Sequence, residues 1–485
     1  MTHPNPHHER RWAILAILGI AQLMVVLDAT IVNIALPSAQ KALHFSNDNR
    51  QWIVTAYSLA FGSLLLLGGK VSDLFGRKWT FVAGLSGFAI ASAVGGAAQS
   101  FVMLATARAF QGAFGALLAP AALSLLTTTF TETSERNKAF GIFGAIAGSG
   151  ASVGLLLGGL LTQYLDWRFS MYVNSVFALV AVSGALTLLH NQAPATKPRI
   201  DIPGVATVSL GLFALVYGFN HAQTTSWGNG LTLGVLAAGV ALLAAFAAIE
   251  RRVSNPLLPL RVVLDRNRGA SYISMGLAAI AMFGVFLFLT YYLQVNRGYS
   301  PVTTGLAFLP MTLVVMVTAI VATTRLRSRV GPRPLVVAGM GLGAAAMLML
   351  RGIGMDSSYV GDIMPALVVM GAGLGLVFST VMNNATLGVE AADAGIASAT
   401  VNAAQQVGAS LGTALLSTLA ASATTSFVAG HRPTPALMAQ AAIHGYTTAF
   451  TVSAGVFAAA AIVAGLLFTR KQDQPVVAGE VVLAA

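Results

Sequence analysis

Long apolar runs, separated by short polar breaks, recur along all 485 residues. They fall at roughly 12–36, 51–69, 79–98, 101–130, 138–161, 168–190, 203–220, 230–249, 269–294, 303–325, 334–350, 363–388, 399–420 and 446–469. Most reach the ~20 residues that an α-helix needs to cross ~30 Å of hydrocarbon, where every backbone polar group must bond within its own segment. The pattern predicts an all-α polytopic membrane protein with fourteen transmembrane helices. The longest polar insertions are 191–202, 250–268 and 421–445, none large enough for a separate soluble domain. A double arginine, Arg10-Arg11, precedes the first run. That run is longer than a signal-peptide core, so we read it as a retained first span.

Charge placement fixes the expected orientation. With the N-terminus inside and the sides alternating, inside segments hold twenty of the 27 Lys and Arg, outside segments hold six, and Arg108 alone lies within a span. This bias follows the positive-inside rule and places both termini in the cytoplasm. The net charge of +11 is therefore topological and implies no nucleic-acid partner. With 56% hydrophobic and 9% charged residues, the chain is far too apolar for a soluble protein of this length. It has no cysteine, which excludes disulfides and thiolate chemistry, and its eight histidines show no metal-ligand spacing. No metal site is expected.

An internal repeat is visible in two inside loops. Lys70 to Gly84 (KVSDLFGRKWTFVAG) aligns without gaps on Arg325 to Gly339 (RLRSRVGPRPLVVAG), pairing Gly76 with Gly331 and Lys78 with Arg333. Each loop joins the second and third spans of its own half, with spans seven and eight between the halves. Repeated halves with a site at their interface near mid-membrane are a mark of secondary transporters.

Asp28 and Arg108 are the acid and base placed well inside spans, and intramembrane charges are costly enough that function is their first reading. At ~1.5 Å per residue both lie roughly 10–12 Å below the outer surface, so they could meet. The bland alternative is a buried ion pair that staples spans one and four. On span one, Gln22, Thr30 and Asn33 fall within about 80° of one another, whereas Asp28 lies at least about 120° from each. We therefore expect Asp28 to turn toward span four or a proton path while the Asn33 face sees substrate. Arg108, Gln111, Gly112 and Gly115 form one stripe of span four that should face the bundle interior. Gly150, Gly154 and Gly158, with Gly159 beside them, strip one face of span five of side chains, so a neighbour can approach and slide. Lys70, Asp73, Gly76, Arg77 and Lys78 form a charged loop whose embedded acid suggests an ion-pair latch, which the second copy lacks because Ser328 replaces the acid. Tyr57, Gln294, Asn383, Asn402 and Gln406, together with Gln22, Asn33 and Gln111, are candidates for the few polar groups of an otherwise apolar substrate pocket.

These residues resemble the major facilitator superfamily, specifically its fourteen-span drug/proton antiporter family of multidrug efflux transporters. Leu27 to Pro37 (LDATIVNIALP) is similar to that family's span-one motif, and Gly69 to Lys78 (GKVSDLFGRK) to the superfamily's loop motif, whose acid and arginine act as an inner latch. Arg108 to Ala116 (RAFQGAFGA) resembles the span-four motif linked to proton transfer, and the glycines of span five resemble the antiporter motif. Trp167-Arg168 followed by Asn174, the stretch from Tyr292 to Pro301, and Gly305 to Pro310 are also familiar from this family. Two positions depart from it: Leu155 stands where proline usually follows the middle glycine, and Gln405 where arginine is common.

The resemblance implies two six-helix bundles, 12–190 and 269–469, around a linker at 191–268 that carries two extra helices. Cytoplasmic segments 1–11 and 470–485 would flank them. It further implies a multi-pass protein of the bacterial inner membrane that acts as a monomer. It would exchange a small lipophilic compound for protons, with no cofactor beyond the proton gradient and the bilayer as its surroundings. An exporter of a specific metabolite, lipid or peptide, or an importer on the same fold, are the alternatives. A membrane enzyme would need a second acid, a nucleophile or a metal beside Asp28, and a channel would lack saturable exchange.

Overall fold

In the computed structural model, residues 10–469 are described apart from 131, 191–200, 254–255, 259, 388, 390–393 and 433. Within helices some side chains, including that of Asp73, also lie outside the description. The terminal segments expected at 1–11 and 470–485 therefore fall outside it, save for residues 10 and 11.

Fourteen long helices account for almost all of the rest. They are α1 (Arg11–Leu43), α2 (Asn47–Phe75), α3 (Arg77–Gly96), α4 (Phe101–Thr129), α5 (Thr133–Tyr164), α6 (Phe169–Leu188), α7 (Ile202–Thr224) and α8 (Gly230–Glu250), followed by α9 (Arg266–Asn296), α10 (Pro301–Val321), α11 (Pro332–Leu350), α12 (Tyr359–Ala385), α13 (Ala394–Val428) and α14 (Pro435–Leu467). Twelve are, among the described residues, long and apolar enough to cross a membrane. The other two, α2 and α5, run to 29 and 32 residues.

Local chemistry sets several starts. Ser100, Asp201, Asn229, Asp265, Ser300 and Thr434 each accept a backbone N–H in the first turn of α4, α7, α8, α9, α10 and α14, satisfying donors a helix leaves orphaned. The expected insertion at 421–445 is largely helical instead. Ala421 to Val428 contains no breaker, so α13 continues to Val428, and the chain turns at Gly430, whose φ is +78°.

The two halves repeat one packing scheme. In the first, α1 packs on α5 and α6, α2 on α4, α3 on α4 and α6, and α5 on α6. In the second, α9 packs on α13 and α14, α10 on α12, α11 on α12 and α14, and α13 on α14. Every pair maps onto its counterpart eight helices later. The repeated loop agrees in detail: Gly76 and Gly331 are each the single residue between two helices, at φ +88° and +76°. Only glycine adopts such angles without strain. Across the interface α2 meets α13 and α5 meets α10, which are again the same contact seen twice. The extra helices form a hairpin: α7 lies on α2 and α13, with Ser209 Oγ donating to the Ser63 carbonyl at 2.7 Å, and α8 packs on α7.

The halves share one continuous core at one end. The end carrying Arg11 is the near end and the end carrying Leu43 the far end. At the far end one continuous apolar core joins Ile31, Leu36, Phe45 and Trp167 of the first half to Phe288, Tyr292, Phe308 and Leu350 of the second. The near-end core of the first half, from Ile14 to Phe130 and Leu189, is separate and reaches the second half through Ala399 and Ala403.

Candidate functional site

Asp28, at the middle of α1, is fully buried. Arg108 of α4 donates Nη1 to its Oδ2 at 2.5 Å, while Gln111 Nε2 (3.0 Å) and Asn174 Nδ2 (2.7 Å) both donate to its Oδ1. Arg108 also donates Nε to the Ile53 carbonyl at 3.1 Å and Nη1 to Gln111 Oε1 at 2.9 Å. Its guanidinium lies 4.5 Å above the Tyr57 ring. Gln111 in turn donates to Ser92 Oγ at 2.6 Å. Five helices, α1, α2, α3, α4 and α6, thus contribute to one cluster around the carboxylate, and Asp28, Ser92, Arg108, Gln111 and Asn174 are each at most 1% exposed. The pair places opposite charges side by side in a region closed to water, where each offsets the cost of burying the other.

The arrangement separates the sequence candidates into three sets. Asp28 and Arg108 meet, as their depths suggested. Gln111 and Tyr57, named above as candidates for a substrate pocket, lie in this cluster. Gln111 stands one helical turn from Arg108, and Gly112, next to Gln111, lets α2 approach so closely that a Cβ there would sit 2.2 Å from the Tyr57 carbonyl. Two cluster members, Ser92 and Asn174, are missing from the sequence candidates. The signal for Asn174 is a lone amide in the apolar α6; Ser92 offers none, since a serine in a membrane helix commonly bonds its own backbone.

The second set holds the far end shut. Gln294 Nε2 donates to the Ile34 carbonyl at 3.2 Å, Tyr291 Oη donates to Gln40 Oε1 at 2.6 Å, and Arg50 lies 4.2 Å over the Tyr291 ring. Gln294 sits in the second of two π-helical turns of α9, Val285–Leu289 and Tyr292–Asn296, and Tyr291 immediately precedes it. Gln294 is thus a bridge between the halves. The glycines of α5 serve two neighbours. Gly150, Gly154 and Gly158 face Val26, Leu27 and Ile31 of α1, while Gly159 faces the Pro301 carbonyl of α10, where a Cβ would come within 2.7 Å. The contact is reciprocal, because a Cβ at Gly305 would come within 2.6 Å of the Leu155 carbonyl. Leu155 itself is fully buried, and α5 continues through it without proline.

The third set remains dispersed, so the eight pocket candidates do not form one cluster. Gln22 and Asn402 are half-buried, and Asn33 turns back to the Ala29 carbonyl at 3.1 Å. Gln406 lies against Gly62 where α13 crosses α2, and Asn383 is exposed near the near end of α12. In the charged loop Lys78 Nζ donates to the Leu186 carbonyl at 3.0 Å, closing α6, and Lys70 and Arg77 are half-buried. The latch expected through Asp73 falls on a side chain outside the described residues.

Comparison with known proteins agrees with this architecture. The chain is 47% identical over 472 residues to the puromycin resistance protein pur8 of Streptomyces alboniger, covering 97% of this chain and 93% of that one. It is 36% identical over 413 residues to the cephamycin export protein CmcT of Amycolatopsis lactamdurans, covering 84% and 85%. Among solved structures an auto-inhibited peptide transporter of the POT family superposes with a TM-score of 0.68 at 16% identity, covering 94% of this chain and 96% of that one, which speaks for the fold alone. The Major Facilitator Superfamily profile matches residues 18–413. With its paired six-helix bundles and an acid–arginine cluster inside one of them, this chain is a multi-pass membrane transporter rather than an enzyme, and it belongs to the Major Facilitator Superfamily.

Proposed function

We propose that this protein exports small lipophilic antibiotics or toxic natural products in exchange for entering protons, by alternating access, with Asp28 as the proton carrier and Arg108 as its counter-charge. The carrying observation is a wholly buried carboxylate that ties α1 to α4 and α6, in a cluster that α2 and α3 complete through Arg108 and Gln111. A group so placed changes its surroundings whenever the bundle changes shape. Resistance and export relatives at 47% and 36% identity support the direction and the substrate class. Coupling needs protonation and substrate to favour different states, because differential affinity alone shifts a conformational equilibrium. The reading uses no cofactor and no partner subunit.

The positive-inside bias supports an inner-membrane orientation with both termini, and hence the near end, in the cytoplasm. The far-end closure then belongs to an inward-facing state, ready to load substrate from the cell. The test is reconstitution in liposomes with an imposed pH gradient, using puromycin as the first probe compound. Gradient-dependent puromycin transport with counter-movement of protons is expected. Transport indifferent to the gradient, or none across a panel of lipophilic antibiotics, would overturn the proposal.

A further inference from the structure

Every hydrogen bond that Asp28 makes in this structure is received. Oδ1 takes Gln111 Nε2 and Asn174 Nδ2, and Oδ2 takes Arg108 Nη1. A protonated Asp28 would carry an O–H that needs an acceptor, and burial without one is costly. The acceptors nearby are largely committed. Gln111 Oε1 already receives Arg108 Nη1, and Ser92 Oγ already receives Gln111 Nε2. Asn174 Oδ1 is buried and has no hydrogen-bond partner among the described residues, as is also true of Tyr57 Oη, but of the two only Asn174 already bonds the carboxylate. It belongs to the amide whose nitrogen already touches the carboxylate.

Resting on the proton-carrier reading above, we propose that Asn174 reads the protonation state of Asp28. Facing the carboxylate, it donates Nδ2. When a proton arrives from water on Oδ1 of Asp28, the amide turns over and Oδ1 of Asn174 accepts the new O–H. When the proton leaves, the amide turns back. No bond other than the carboxyl O–H forms or breaks. The charged and titratable groups facing Asp28 are Arg108 from α4 and Tyr57 from α2, while α3 and α6 contribute the neutral Ser92 and Asn174 and α5 its bare glycine face. Asn174 is a positioning residue, and it makes α6, which packs on both α1 and α3, the helix that registers the proton.

Infrared difference spectra between acid and alkaline pH, recorded on the full chain in lipid, test this. The wild type is expected to show a protonated carboxyl band that Asp28→Asn removes. An amide carbonyl change, assigned by isotope-labelled asparagine, should accompany it. Asn174→Leu should abolish that amide change and move the carboxyl band upward, toward an acid with no acceptor. Gradient-driven transport should slow roughly tenfold, the order of one hydrogen bond to a charged partner, and Asn174→Thr, whose hydroxyl both donates and accepts, should restore part of it. A carboxyl band without any asparagine change in the wild type overturns the role of Asn174 and leaves the carrier reading standing; this arm needs no variant to fold. Absence of any band sensitive to Asp28→Asn removes the carrier and the reader together.

Discussion

Asp28→Asn is nearly isosteric, so its effect isolates charge and hydrogen-bond direction. Three donors converge on Asp28, two on one oxygen and one on the other. An asparagine must turn its NH2 toward either Arg108 or the Gln111–Asn174 pair, so in both orientations a donor faces a donor. Arg108 is left as a buried cation without its anion. Breaking a buried pair by removing one partner costs about 3–5 kcal/mol. Arg108 keeps the Ile53 and Gln111 oxygens and the Tyr57 face, so the lower end, about 3 kcal/mol, is expected here. The assay pairs thermal unfolding in detergent with gradient-driven transport in liposomes. Asp28→Asn should lower the melting temperature and abolish proton-driven export. Adding Arg108→Leu removes the stranded cation; replacing a buried pair by apolar groups is often near neutral, so stability should return while transport stays absent. Recovery of transport together with stability would show that the pair merely staples α1 to α4, and gradient-dependent export by Asp28→Asn alone would refute the carrier role.

Other substitutions probe the remaining contacts. Tyr57→Phe keeps the ring under Arg108 and removes a buried hydroxyl unpartnered among the described residues, so it should match or exceed wild-type stability, whereas Tyr57→Leu should lose about 0.5–2 kcal/mol by the same melting measurement. Gly159→Val places a side chain against the Pro301 carbonyl and should hinder far-end closure, slowing turnover while substrate binding persists; unimpaired turnover counts against a closing role for this contact. Tyr291→Phe removes the bond to Gln40, about 0.5–1.5 kcal/mol, and should shift the population toward far-end opening. The chain has no native cysteine, so paired spin labels on introduced cysteines report that distance cleanly. Asp73→Asn is expected to slow turnover more than it weakens substrate binding; weakened binding at unchanged turnover would contradict a latch.

Apolar period and length were enough to mark the helices, and the twinned loops around Gly76 and Gly331 were enough to pair the halves, because membrane spans and single-glycine turns are local properties. Asp28 and Arg108 stood out for a related reason: charge inside an apolar run is conspicuous without knowing what it touches. Gln111 and Asn174 did not resolve, because their roles depend on partners 83 and 146 residues away in sequence. An amide in a membrane helix reads alike whether it meets substrate, a neighbouring backbone or a carboxylate. The bond from Gln294 to the Ile34 carbonyl is not legible in the sequence, since the π-helical turns of α9 shift the phase that an ideal 3.6-residue period assigns.

The hairpin α7–α8 breaks the twofold equivalence of the halves. It overlies the α2–α13 crossing, whereas among the described residues no helix hairpin lies on the related α5–α10 crossing. A lipid-dissolved molecule moving sideways toward the centre therefore meets a wall of two helices on one flank. On the other it meets a glycine-lined boundary, so two doorways that symmetry would make identical differ in access.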